Sequence, residues 1–288
     1  MLQGKIKQSL ALYVCLLLSV VLVFVLINRT IVVEDAEIIN ITEDIYLDYT
    51  LIIPKGANVT INGNGHHKRW NFIDAPAVEI ESGATLTLHN VYITGSGELL
   101  GSDLITLAGT GIVIREGGTL IIAKDSTVQH FEVGIIVSGG RFVLDGGTVA
   151  YNADTSSFSH GGGIRMNGGE FAMHDGAIRN NAARTAGGVF VSGPAHIELH
   201  GGEIHSNNAM MGGGVFFEPI NPYRYGDQTI TLEIGVNARN VIFDNSPDDD
   251  IRWIEGGPGI RGIVINNLAD FIESYNPNDS GNLVLMLH

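Results

Sequence analysis

The chain has 288 residues, a formal net charge of −15 and 38 glycines, and 44% of its residues are hydrophobic. This hydrophobic content supports a buried core, which excludes a disordered chain, and the glycines follow no G-X-Y period, which excludes collagen. The acidic balance is the opposite of the basic surface that nucleic acids require, so we expect no nucleic-acid partner.

Residues 1–29 are predicted to anchor the chain in a membrane. Leu10–Ile27 is a run of 18 uncharged residues, just long enough to cross a hydrocarbon core as a helix. No A-x-A cleavage site follows it, which favours an uncleaved signal anchor over a cleaved signal peptide. Lys5 and Lys7 place the N-terminus in the cytoplasm by the positive-inside rule. We therefore expect a single-pass membrane protein with an extracellular body, or a secreted protein if this segment is cleaved.

The body of the chain repeats itself, most visibly between His160 and Glu218. Gly163-Ile164 recurs as Gly188-Val189 and again as Gly214-Val215, at a nearly constant spacing. Each unit contains short strands with alternating apolar residues, separated by Gly, Asn, Asp or Ser. A fixed period is typical of a solenoid, and about 20–30 residues per unit fits three strands and three turns of a parallel β-helix.

This pattern divides the chain into four parts. Residues 1–29 are predicted as a cytoplasmic stub and transmembrane helix, 30–50 as an N-terminal cap, 51–267 as the β-helix and 268–288 as a C-terminal cap. We expect about eight or nine coils, stacked about 4.8 Å apart. Inward residues of one coil (Ile164, Phe171, Met173 and Ile178) are predicted to pack on their equivalents in the next: Val189, Ile197, Leu199 and Ile204. The glycine pairs are expected to supply positive φ at the corners.

Four asparagines share one register position, because each stands three residues after an aliphatic residue: Asn152, Asn181, Asn207 and Asn245. In consecutive coils such residues stack as a ladder inside a turn, with each amide bonded to the next and to the turn backbone. We interpret them as structural residues.

The unit GGGIRMNGGEFAMHDGAIRNNAA resembles the repeats of bacterial and archaeal adhesin-like surface proteins, which belong to the pectate-lyase-like superfamily. LIIPKGANVTINGNG and NVIFDNSPDDDI also look like the first and last coils of that class. The resemblance extends from about Leu51 to Ile251, and it implies an all-β fold, a right-handed single-stranded parallel β-helix. It implies less about function, because this fold carries lyases, hydrolases, epimerases and adhesive rods.

The catalytic patterns of that superfamily are not matched. Lyase chemistry needs grouped acidic calcium ligands and a basic residue that takes a proton. Polygalacturonases of the family pair aspartates with a Gly-His-Gly and an Arg-x-Lys, whereas here Gly65-His66-His67 comes early and Asp248-Asp249-Asp250 late, with no R-I-K. We therefore favour a protein that is not an enzyme. An enzyme would require acidic residues of successive coils to meet a Lys or Arg on one flank.

Two patches are candidates for contact with a polysaccharide or a cell-surface partner. The first lies in an insertion between repeats and combines flat aromatic rings with a guanidinium: Tyr223, Arg224 and Tyr225. The second is a compact polar cluster, expected to form an exposed loop: His66, His67, Lys68, Arg69 and Trp70. In that cluster we single out His66, His67 and Trp70.

Metal ligands are sought among the acidic residues and the histidines. The densest acidic patch is a candidate calcium site: Asp244, Asp248, Asp249 and Asp250. We expect no other cofactor. Five histidines fall on scattered positions when the repeats are aligned, so they do not predict a zinc site: His160, His174, His196, His200 and His205.

The leading hypothesis is a non-enzymatic, membrane-anchored surface module of adhesin-like type that binds glycans or other surface partners. The alternatives are a polysaccharide lyase or glycoside hydrolase, and a structural rod of the cell envelope. The sequence does not indicate the oligomeric state.

Overall fold

The computed structural model describes residues 30–33, 38–70, 75–96, 107, 109–156, 158–218, 230–234, 242–243, 245, 249–253, 263–266 and 282–283. Within these ranges the chain is all-β and contains no helix. No helix in this part of the chain is therefore long and apolar enough to cross a membrane. The predicted anchor, residues 1–29, lies outside the described ranges, as does the predicted C-terminal cap apart from residues 282–283.

The described residues form 25 strands, most of them three to five residues long. Their bounds are β1 Thr30–Val32, β2 Ile38–Asn40, β3 Ile45–Leu47, β4 Thr50–Ile53, β5 Asn58–Asn62, β6 His67–Trp70, β7 Val78–Ile80, β8 Thr85–His89, β9 Tyr92–Thr94, β10 Thr110–Ile114, β11 Thr119–Ala123, β12 Thr127–Gln129, β13 Val133–Val137, β14 Arg141–Ala150, β15 Ile164–Met166, β16 Gly169–Arg179, β17 Val189–Val191, β18 Ala195–Leu199, β19 Glu203–His205, β20 Val215–Phe217, β21 Ile230–Ile234, β22 Ile242–Phe243, β23 Asp249–Trp253, β24 Ile263–Asn266 and β25 Asn282–Leu283.

The strands pair in parallel and form two sheets around one core. The first sheet has ten strands in the order β1-β4-β7-β10-β13-β15-β17-β20-β23-β25. The second sheet has 15 strands and covers two sides of the solenoid. Its second face contains β2, β5, β8, β11, β18, β21, β24 and the first halves of β14 and β16. Its third face contains β3, β6, β9, β12, β19, β22 and the last halves of β14 and β16.

Two strands are longer than the sequence pattern predicts. β14 has 10 residues and β16 has 11, because each continues from the second face into the third. Gly146 and Gly176 lie at this corner with φ of 91° and 101°, a conformation that only glycine adopts without strain. They bend the chain while leaving the strand unbroken.

The prediction of a parallel β-helix is confirmed, and so is the repeat register. Ile164 pairs with Val189, and Val189 pairs with Val215, as the spacing of the repeats requires. The solenoid has about six turns from β4 to β19, and the eight or nine predicted for residues 51–267 also include the strands β20 to β24. The short strands β20 to β25 continue the pairing beyond them. Residues 30–50, predicted as a cap, contribute β1, β2 and β3, one strand to each face.

The core consists of the inward residues of each strand, stacked turn upon turn. The predicted partners pair in register, for example Phe171 with Ile197 and Ile178 with Ile204. Phe142 and Phe171 are fully buried, and their rings stack with centroids 5.2 Å apart and planes 6° apart. Strands of the second face such as β5 and β8 bury every second residue, whereas β17 and β20 of the first sheet are buried at all three positions.

The four asparagines form a continuous ladder at the corner between the third face and the first sheet. Asn152 donates through Nδ2 to Oδ1 of Asn181, Asn181 to Asn207, and Asn207 to Asn245, each at 3.0 Å. The backbone N–H groups of Asn152, Asn181 and Asn207 donate to the same three oxygens, at 3.0–3.1 Å. All four residues are at most 3% exposed. Their polar atoms are thus satisfied in the interior.

The repeated glycines serve two purposes, only one of which was predicted. Gly161 and Gly212 have φ of 68° and 63°, as expected for corner residues. Gly134, Gly163 and Gly188 do not have positive φ. A Cβ on each would lie 2.4–2.7 Å from the carbonyl oxygen of a glycine in the next turn. These glycines are required because successive turns approach closely there.

Candidate functional site

The third face carries a diagonal line of aromatic and cationic side chains, which we call the aromatic ridge. Its members come from five consecutive turns: His67, Tyr92, His130, Tyr151 and Arg179. His67 and Tyr92 pair across β6 and β9. Their rings stack with centroids 4.5 Å apart and planes 16° apart. Both point outward, because Ile93, the next residue along β9, faces the core and is fully buried.

The second half of the ridge lies at the end of the third face. The Arg179 guanidinium carbon lies 5.6 Å from the centre of the Tyr151 ring, within the range of a cation–π contact. Arg179 also donates from Nη1 to the Tyr151 hydroxyl at 3.2 Å. The His130 ring lies 6.0 Å from the Tyr151 ring. Tyr151 is 36% exposed, so its ring edge is open to a ligand.

Burial and neighbouring charge lower the pKa of both histidines of the ridge. Burial lowers the pKa of His67, and the positive charge of Arg69 lowers it further. Burial also lowers the pKa of His130, with smaller contributions from Arg69 and His67. In the described part of the chain, Nε of Arg69 is buried without a hydrogen-bond partner. The ridge therefore combines flat rings with the Arg179 guanidinium, and such a surface suits a polar ligand.

A second group, the corner cluster, lies where the third face meets the first sheet: Glu132, Asp154, His160 and Arg165. The Asp154 side chain is only 5% exposed. It accepts from Arg165 Nη2 at 3.1 Å through Oδ2 and from the Ser156 backbone N–H at 3.0 Å through Oδ1. Arg165 Nε donates to the His160 carbonyl oxygen at 2.7 Å. Arg165 is thereby fixed between two segments of the corner.

Two members of the corner cluster have shifted proton affinities. The pKa of Glu132 is raised by burial first, then by the charge of Asp154 and a hydrogen bond with it, against the opposing charge of Arg165. Burial lowers the pKa of His160, whose ring stacks on Phe190 with centroids 4.6 Å apart. A carboxyl whose pKa is raised by burial and by a neighbouring carboxyl group is a candidate general acid.

The predicted ligand residues are distributed as follows. His67 belongs to the aromatic ridge, and His66 lies beside it, with Nδ1 3.4 Å from Oδ1 of Asp44. Trp70 ends β6, and its side chain lies outside the described part. Tyr223, Arg224 and Tyr225 also lie outside the described residues. Of the predicted calcium ligands, Asp249 and Asp250 begin β23, while Asp244 and Asp248 lie outside the described residues.

The expectation of an exposed loop at 66–70 is wrong for most of it. His67–Trp70 is strand β6, paired on both sides with β3 and β9. Lys68 pairs with Ile45 and Ile93 and therefore occupies an inward position among aliphatic residues. The alternation of β6 points Lys68 inward and the flanking His67 and Arg69 outward, and all three residues are half-buried. The sequence did not predict this strand because its residues are mostly polar and lack the alternation of apolar residues by which strands are recognised.

The corner cluster was missed by the sequence analysis, because no motif marks it. Glu132 and Asp154 belong to successive turns, and Arg165 follows in β15. The one available signal was the position of Asp154, two residues after the ladder residue Asn152. The histidines were expected to be scattered, yet the rings of His174 and His200 lie 5.5 Å apart on the second face.

Comparison of the chain with family models, curated proteins and solved structures finds no match. The fold and the geometry of its surface therefore carry the functional argument.

Proposed function

We propose that this protein is a membrane-anchored, extracellular β-solenoid that binds glycans through the aromatic ridge. The observation that carries the proposal is the stacked and cation-paired arrangement of His67, Tyr92, Tyr151 and Arg179 across successive turns. The 18 uncharged residues Leu10–Ile27 support the anchor, and the two preceding lysines support a body outside the cell. A right-handed coil, the hand of almost all parallel crossovers, belongs to the same proposal.

The chemistry of the ridge suits a sugar chain. The apolar face of a pyranose packs on flat rings such as Tyr92, while guanidinium groups donate to its hydroxyls. Arg179 supplies such donors at one end of the ridge. Because the ridge crosses five turns, it favours an extended polysaccharide over a single sugar.

The test is retention of the purified full-length protein on immobilised neutral and acidic polysaccharides, with and without calcium. Each aromatic contact contributes about 0.5–1.5 kcal/mol, so Tyr92→Ala and Tyr151→Ala should each weaken retention about three- to tenfold. Phe158→Ala is the control, because Phe158 is 86% exposed and is not part of the ridge. Full retention by the Tyr92→Ala/Tyr151→Ala double variant would refute the ridge as the binding surface.

A polysaccharide lyase or glycoside hydrolase is the second candidate, favoured by the corner cluster. Glu132 and Asp154 come from successive turns and meet Arg165 on one flank. The polysaccharides used in the retention experiment should then be assayed for new reducing or unsaturated ends after contact with the protein. If new ends are formed by the unmodified protein but not by Asp154→Asn, the protein is an enzyme. If the protein is retained on a polysaccharide without forming new ends, it is a binding module.

Two further proposals are covered by the same panel. Calcium at the acidic patch around Asp249 and Asp250 predicts retention that depends on calcium and is lost when these aspartates are replaced by asparagine. A structural rod of the envelope predicts neither retention nor product on any polysaccharide.

A further inference from the structure

The second face carries a group of metal-ligating side chains away from the aromatic ridge. In β18, His196 and Glu198 alternate with the buried residues Ile197 and Leu199, so both point outward on the same side. Glu198 pairs directly with Glu233 of β21, the adjacent strand. The fold thus brings together an imidazole and two carboxylates from strands that an insertion separates in the sequence.

The donor atoms of the three side chains lie close enough together to bind one metal ion. Nε2 of His196 lies 3.0 Å from Oε1 of Glu198, and one donor atom from each of His196, Glu198 and Glu233 lies within 4.8 Å of the others. Ligand atoms on a tetrahedral zinc ion are about 3.3 Å apart, since zinc–nitrogen and zinc–oxygen bonds are about 2.0–2.2 Å long. All three side chains are half-buried, and rotation about their χ angles would bring the donor atoms to that spacing.

The electrostatics of the pair favours a bound cation. Like charges at directly paired positions of adjacent strands destabilise a sheet. The two carboxylates lie at directly paired positions of β18 and β21. A divalent ion between the two carboxylates converts their repulsion into attraction.

We propose that His196, Glu198 and Glu233 bind a divalent transition-metal ion of the zinc class, with water as the remaining ligand. One imidazole with two carboxylates is a ligand set that suits zinc. It suits calcium less, because calcium takes oxygen ligands only.

His200 acts as a positioning residue for this site. Its Nε2 lies 3.7 Å from the second carboxylate oxygen of Glu198, and the His174 ring packs against it with centroids 5.5 Å apart. Such outer partners orient a ligating carboxylate. His174 in turn has Nδ1 3.9 Å from Oδ1 of Asp145, which extends the group to four consecutive turns.

The experiment is calorimetric titration of Zn²⁺ into the purified full-length protein after its metals have been removed with a chelator. We expect one saturable Zn²⁺ per chain, bound more tightly than Mg²⁺ or Ca²⁺. Loss of an outer partner of a metal ligand typically costs about 10- to 100-fold in affinity, so His196→Ala and Glu233→Gln should each cost at least about tenfold. His200→Ala should weaken binding less than either of these.

His89→Ala is the matched control, because His89 is an exposed histidine at the edge of the same face, four turns away. Its affinity for Zn²⁺ should equal that of the unmodified protein. All replaced side chains point outward, and unchanged far-ultraviolet circular dichroism will verify that each variant is folded. The proposal would be overturned if the protein showed no saturable Zn²⁺ binding, or if His196→Ala and Glu233→Gln bound Zn²⁺ as tightly as the unmodified protein does. Glycan retention is measured separately after chelation, so failure of either proposal leaves the other intact.

Discussion

At the scale of single residues, the interior of this solenoid contains two kinds of polar side chain: hydrogen-bonded asparagines and a lysine among aliphatic residues. The ladder asparagines are buried with every amide group paired, for instance Asn181 Nδ2 to Asn207 Oδ1 and to the Val149 carbonyl, both at 3.0 Å. Lys68 lies among aliphatic residues, and burial lowers its pKa from 10.5 to about 8. The first kind stabilises the fold, whereas the second destabilises it.

Replacing Lys68 with Met should therefore stabilise the protein at neutral pH. A pKa that falls from 10.5 to about 8 corresponds to about 3 kcal/mol of lost stability, because each tenfold change in proton affinity is about 1.4 kcal/mol. Below about pH 8 Lys68 is protonated in both the folded and the unfolded chain, so the full loss of stability is present. Between about pH 8 and 10.5 only the unfolded chain holds it, so stability rises with pH.

The measurement is urea unfolding at about pH 7 and about pH 10. Lys68→Met should gain up to about 3 kcal/mol at the lower pH and should lack the rise that the unmodified protein shows toward the higher one. Lys124→Met is the control, because Lys124 is exposed in a turn and its replacement should change stability by less than about 0.5 kcal/mol. An equal response of the two variants would contradict an inward Lys68.

The positions of residue types that recur in every turn were predictable from the sequence. The positions of residues that occur in a single turn, without an equivalent in the others, were not. The ladder asparagines and the inward aliphatic residues recur from turn to turn, so their register could be read directly. Glu198 and Glu233 are separated by an insertion that breaks the repeat, so their pairing across β18 and β21 depends on three-dimensional register. Lys68 is a polar residue at an apolar position, and only strand pairing reveals its direction.

At the scale of elements, glycine determines how closely two turns approach. Gly188 lies opposite Gly214 in the next turn, and a Cβ on Gly188 would lie 2.4 Å from the Gly214 carbonyl oxygen and 3.1 Å from Asn207 Nδ2. The close approach thus occurs beside the asparagine ladder. Sequence analysis found the glycines but assigned them to corner geometry, because a sequence does not show the distance between turns.

Gly188→Ala should destabilise the protein by about 3 kcal/mol, because the added methyl group must force two backbones apart. Gly56→Ala tests the alternative cause. Gly56 has φ of 78° and a Cβ added to it would meet no atom within 4 Å, so only the left-handed conformation opposes its replacement, at a cost of about 1 kcal/mol. Thermal unfolding of both variants measures the difference. A larger loss in Gly56→Ala would show that backbone conformation matters more than close approach.

At the scale of the whole molecule, each turn in the described part of the solenoid pairs only with the turns on either side. Stability in such a solenoid is a sum of terms for individual turns and for their interfaces, so damage spreads only to neighbours. Phe171 lies in the middle of the described solenoid and stacks on Phe142. Its removal leaves a gap between two turns in an otherwise continuous core.

Phe171→Ala should cost about 3–5 kcal/mol and should act locally. We expect amide hydrogen exchange to accelerate in β13 to β18, while β4 to β9 keep their protection, because they lie several turns away. Phe158→Ala is the control, since Phe158 is 86% exposed. A uniform loss of protection across the solenoid would show that the molecule unfolds as one cooperative unit instead.

The ladder and the glycine close approach continue unchanged from one turn to the next, and this has an evolutionary consequence. An in-frame duplication of the codons for residues 164–188 would add one complete rung, with its asparagine and its glycine contact, and lengthen the molecule by about 4.8 Å. No new interface has to arise, because both surfaces of the added rung already exist. The gene can therefore change the length of its product, and the spacing between the aromatic ridge and the metal site, in whole repeats.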